Sequence, residues 1–76
     1  MIGAMINIVR YDLVKSLEWH FNNSIDPKYD MEIRGFIVLD YEECFMNTDC
    51  VFIKIFCNKS DLSTLPDYVE VSDYKF

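Results

Sequence analysis

Four carboxylates, Asp40, Glu42, Glu43 and Asp49, stand within ten residues, and no Lys or Arg interrupts them. Carboxylates do acid–base work when a pocket sets their pKa values apart. Calcium loops need alternating oxygen ligands around a glycine turn, and this stretch has no glycine. What remains is an acidic strip fit to dock on a basic surface and to speed association with it. A second acidic group, Asp61, Asp67, Glu70 and Asp73, is diluted by Lys59 and Lys75. The single histidine, His20, would be a general base if a cysteine stood beside it as nucleophile. Its place at the margin of an apolar stripe reads more simply as a core-boundary residue. Cys44, Cys50 and Cys57 are separated by five and six residues, whereas structural zinc takes ligand pairs two to four residues apart. No metal and no cofactor are expected, and the odd number of cysteines reads as free thiols in a reducing, cytoplasmic setting.

The run Asn58-Lys59-Ser60-Asp61 follows an apolar segment and resembles the box with which GTPases read guanine. The resemblance covers only these residues and Leu62. It would require a phosphate-cradling GxxxxGK[ST] loop, and Gly3 and Gly35 are the only glycines. The run reads instead as a strand end followed by a helix cap.

The formal net charge is -6, from thirteen acidic and seven basic residues. That excess disfavours direct contact with nucleic-acid phosphates and with anionic membrane. Hydrophobic residues make up 51% and aromatics 16% of the 76 residues, enough for one small folded domain over 1–76. The apolar N-terminal run is too short to span a bilayer.

Ile2, Ile6, Val9, Leu13, Leu17 and Phe21 recur at steps of three and four, which predicts a helix over 7–23. Asn7 is placed to cap its start and Asp12 to cap a later one. A competing reading makes 5–9 a short strand, with Ile6 and Ile8 alternating against Asn7. Asn22-Asn23-Ser24 and Asp26-Pro27 break the chain. Alternation predicts strands over 31–41, 50–57 and 67–76. The acidic link 42–49 has room for a helical turn, and 60–66 for one turn before Pro66. The expected fold is a two-layer α+β domain. One N-terminal helix packs on a three-stranded antiparallel meander in the order α-β-β-β, with an extra short N-terminal strand as a variant.

One helix covers one sheet face. The alternation sets Phe36, Val38, Phe52 and Phe56 on the other face, with Tyr68 and Tyr74 near them if the register agrees, and an uncovered aromatic patch marks an interface. Trp19 and Tyr11 flank the helical stripe, as residues favoured both at interfaces and at core edges. The function expected is non-catalytic: an acidic protein-binding module that inhibits or regulates a basic partner. A narrower form is a nucleic-acid mimic of phage or mobile-element type that blocks a nucleic-acid or defence enzyme. The alternative is a structural homodimer or small subunit joined through the aromatic face.

Overall fold

The structure, a computed structural model, describes residues 3–44 and 49–76. Strand β1 (Ala4–Asp12) leads into helices α1 (Leu13–Trp19) and α2 (Pro27–Ile33). Strands β2 (Ile37–Glu43) and β3 (Cys50–Asn58) follow, then a 3-10 helix (Lys59–Thr64) and strand β4 (Val69–Ser72). The sheet is antiparallel throughout, in the order β2-β3-β1-β4. The α+β class therefore holds, with four strands and short helices in place of three strands and one long helix.

The N-terminal segment is the main correction. Residues 4–12 form a central strand, four residues longer than the competing short-strand reading, and no helix runs over 7–23. A central strand of an antiparallel sheet packs one face on the core and can leave the other to water. Ile6, Ile8, Val9 and Tyr11 are the β-branched and aromatic residues that suit this place. Val9 and Tyr11 are fully buried and two residues apart, the strand period. The helical spacing of Ile6, Val9, Leu13 and Leu17 is accidental, and Ile2 lies outside the described residues. The expected cap at Asp12 is present: its carboxylate accepts from the Lys15 N–H at 3.0 Å. Strand thus passes into helix without a loop. Asn7 caps nothing and sits inside β1.

Helix α2 occupies the beginning of the strand expected over 31–41. Asp26 is its N-cap, accepting from the Lys28 N–H at 3.0 Å, and Pro27 stands in the first turn. Proline there has a suitable φ and gives up a donor that the helix would leave unpaired anyway. The helix ends in a Schellman turn: Gly35 N–H donates to Glu32 O and Phe36 N–H to Met31 O, each at 3.0 Å. Gly35 takes φ +96°, a region that L side chains rarely enter. Met31 and Phe36, the apolar pair that accompanies this motif, are both buried in the core.

The core lies between the helices and one sheet face. Val51, Ile53, Ile55 and Cys57 point into it from β3, as their alternation predicts. Leu62 and Leu65 close it from the 3-10 helix and its end. That helix matches the turn expected over 60–66. It starts with a capping box in which Asp61 accepts from the Asn58 N–H at 3.2 Å. The GTPase-like tetrapeptide is thus a helix start. Cys44 and Cys50 are joined in a disulfide, with Cα atoms 5.5 Å apart, which corrects the expectation of three free thiols. Cys57 remains free and buried. The helical turn expected in the link 42–49 falls on residues 45–48, outside those described. Among the described residues no helix is long and apolar enough to cross a membrane.

Nothing lies within 4 Å of a Cβ built on Gly35, so its requirement is purely conformational. Gly35→Ala should cost about 1–2 kcal/mol, the left-handed penalty for a residue with a Cβ, and Gly35→Asn clearly less. Urea unfolding of the two variants checks this. Equal stability of wild type and Gly35→Ala would contradict the Schellman turn.

Candidate docking face

The two sheet faces are built differently. Residues paired across antiparallel strands share a face, so the register sorts them. Ile6 pairs with Phe56, and Phe56 with Ile37, which sets three apolar side chains in one row across β1, β3 and β2. They are 58%, 40% and 57% exposed in that order. The next row runs Ser72, Ile8, Lys54 and Asp40. The third runs Glu70, Arg10, Phe52 and Glu42. Among the described residues no helix covers this face; α1 and α2 pack on the other.

Phe52, Phe56 and Asp40 therefore keep their expected face, Glu42 of the expected acidic turn joins them, and others change face. Phe52 and Phe56 lie on the open face, and Asp40 and Glu42 share it from the edge strand β2. Glu43 pairs with Val51 and belongs to the helix side, where it is exposed. Asp49 is exposed in the turn before β3, and its backbone carbonyl accepts from the Leu13 N–H at 2.8 Å. The acids thus surround the β2–β3 end instead of forming one file.

Phe36, Val38 and Tyr68 are corrections. Phe36 is buried because it follows the glycine turn and packs back under α2. Val38 pairs with Ile55 on the core side and packs against the core. A register irregularity between Val38 and Asp40 then resets the alternation of β2. One extra residue in a strand exchanges its two faces, and a count at period two cannot foresee it. Tyr68 sits in the turn ahead of β4, 2% exposed, with its ring 5.2 Å from that of Tyr11.

What fixes the helices over the covered face is a buried carboxylate that sequence reasoning missed. Asp30, on α2, is 1% exposed. Its Oδ2 accepts from the Tyr11 hydroxyl at 2.6 Å and the Tyr68 hydroxyl at 2.7 Å. Its Oδ1 accepts from Arg34 Nε at 3.1 Å. Arg34 Nη2 also donates to the Tyr68 oxygen at 2.8 Å. Ser16, on α1, lies 2.9 Å from the Tyr11 oxygen, and with the Tyr11 proton given to Asp30 the serine is the donor. His20 Nε2 is 3.1 Å from the Tyr68 oxygen and 3.8 Å from Asp30 Oδ2. His20 is thus the part-buried core-boundary residue its pattern implied, while the Cys57 thiol is met by Asn7 Nδ2 at 3.6 Å.

Burial pushes the Asp30 carboxyl up, but the bonds from Tyr11 and Tyr68 and the charge of Arg34 outweigh it, and the net direction is down. Burial, together with the bond to Asp30, pushes the Tyr11 and Tyr68 phenols up. The arrangement stabilises an anion and keeps its donors protonated, which is a structural use of these groups. Beside it, Trp19, His20, Phe21, Asn23 and Ile25 line an open recess of about 520 Å³. Phe21 and Asn22 both take positive φ there, closing the end of α1 through Asn22 N–H to Leu17 O at 2.7 Å. The one local signal for the network is the Asp30–Arg34 spacing of four.

Because the folded Asp30 carboxyl titrates below its ordinary 3.8, the stability it lends is complete above that value. It is lost as pH falls through the folded pKa. Asp30→Asn should cost about 2 kcal/mol at neutral pH, a hydrogen bond to a charged group being worth about 1.5–3. The gap to wild type should narrow in acid. Urea midpoints from pH 7 to pH 2 measure it, and a constant gap would contradict a charged Asp30. Comparison with protein-family models, with curated proteins and with solved structures finds no match for this chain, so its function has to be argued from this geometry.

Proposed function

We propose that the chain is a non-catalytic protein-binding module that docks through its open sheet face and the acidic β2 edge, and so inhibits or regulates a basic partner. The observation that carries the reading is the row Ile6, Phe56 and Ile37, bare across three strands. Apolar groups contiguous on an uncovered face are the usual core of an interface, with a polar rim around them. Asp40 and Glu42 supply that rim on one side. With a chain net charge of -6, the rim favours a basic partner and faster encounter with it.

In the narrower form, carboxylates stand in for phosphates on a nucleic-acid or defence enzyme, and Asp40 and Glu42 are its contact pair. The spread of Glu43 and Asp49 around the hairpin supports the general form over a file of phosphate-like charges. In a cytoplasmic setting the Cys44–Cys50 bond would be reduced, and the β2–β3 ladder alone would then hold the hairpin.

A second reading is self-association through the same face, as a homodimer or small subunit. One observation favours it. The opposite charges of this face are cross-strand neighbours, Arg10 with Glu70 and Lys54 with Asp40, so two copies would meet there with little of the net repulsion.

The test compares baits: wild type, Phe56→Asp, and Asp40→Asn with Glu42→Gln, each washed at graded salt. A specific partner should lose about tenfold or more in retention on Phe56→Asp, the effect of a central apolar contact. The double amide should weaken it and flatten its salt dependence. A partner held equally by all three baits would contradict docking through this face. Sedimentation of the bait alone separates the second reading: a dimer that Phe56→Asp makes monomeric would replace the first.

A further inference from the structure

The open face is not wholly bare. Beyond β4, residues 73–76 turn back across its upper rows. The Tyr74 ring stacks on Phe52 at 4.0 Å between centroids and 2° between planes. Its hydroxyl donates to Glu42 Oε1 at 3.1 Å. The Phe76 ring meets Tyr74 edge-on at 5.6 Å, and Lys54 Nζ lies 4.8 Å from the Phe76 centroid. The turn is set by Tyr74 N–H donating to Ser72 Oγ at 3.1 Å. A short segment thus spans the sheet from edge strand to edge strand and is held by side chains alone.

The geometry points to a peptide-recognition site on β2 and β3, made of Phe52, Lys54 and Glu42, for an extended segment bearing Tyr-x-Phe. Residues 73–76 fill it in cis. Each element of the site has a defined role. Phe52 is a flat platform for the first ring. Lys54 is a cation for the face of the second, an attraction that strengthens when water is excluded. Glu42 accepts the hydroxyl, which separates Tyr from Phe at the first position. Two aromatic side chains at i and i+2 point the same way in an extended chain, which is the spacing of Tyr74 and Phe76. Four residues with no backbone pairing to the sheet make a contact that opens easily, so a segment of the same chemistry from another chain competes for the platform.

The site is separate from the row of Ile6, Phe56 and Ile37, so its failure would leave the proposed docking intact. Its cis occupant makes it a regulator of that face: while the segment is seated, Phe52 and Glu42 are withheld from a partner.

The test uses the full chain with the site vacated by Tyr74→Ala and Phe76→Ala. The probe is the acetylated, amidated pentapeptide of residues 72–76. Saturable shifts of the Phe52, Lys54 and Glu42 resonances are expected on titration. Wild type should bind at least about tenfold more weakly, since its own segment competes at an effective concentration in the millimolar range. Adding Phe52→Ala to the vacated chain, or replacing the peptide tyrosine by alanine, should abolish the shifts. No saturable shift in a folded vacated chain, or equal binding by wild type, would overturn the site. If the vacated chain does not fold, Glu42→Ala in the intact chain, which removes the acceptor, gives the answer. Its Tyr74–Phe52 ring contacts should weaken by nuclear Overhauser effect, and unchanged contacts would overturn the site.

Discussion

One buried negative charge organises this fold. An ionised carboxylate away from water is costly unless donors surround it, and Asp30 has three groups donating to it, from β1, from the C-cap of α2 and from the turn before β4. No two of these lie close in the chain except Asp30 and Arg34. The anion therefore rewards one arrangement only: α2 laid over the central strand, with the Tyr68 turn folded in beside it. Ser16 and His20 bring the end of α1 into the same network. Partial satisfaction would leave a buried charge unpaired, which is why such networks specify a structure sharply.

The open face follows from that arrangement. Both helices are committed to the side of the sheet where Asp30 sits, and the described residues hold no helix on the other. The open face thus keeps an apolar row at one end and a strapped aromatic platform at the other. The acidic edge strand borders both. These are two surfaces on one sheet, distinguished by whether the chain's own segment covers them.

Much of this was legible in the residues. The faces of β3, the cap at Asp12, the turn before Pro66 and the place of Phe52 and Phe56 on the face away from the helices all follow from local chemistry. The N-terminal strand was obscured because Ile6, Val9, Leu13 and Leu17 fit a helix by coincidence, although the β-branched run favoured a strand. Helix α2 was signalled by Asp26-Pro27 at its start and Gly35 at its end. Continuous alternation from Met31 to Tyr41 hid it. The bulge in β2 that turns Val38 inward, and the meeting of Tyr11, Asp30 and Tyr68, depend on contacts distant in sequence, and no local pattern encodes them.

The claim on which the rest turns is that the isolated chain keeps one sheet face sealed and offers the other. Attenuation of side-chain resonances by a neutral, soluble spin probe in dilute solution measures this directly. Ile6, Ile37 and Phe56 should be strongly attenuated while Val9, Ile53 and Ile55 are spared. Protection of both sets alike in a monomeric sample would mean that the face is already covered, and would contradict the account.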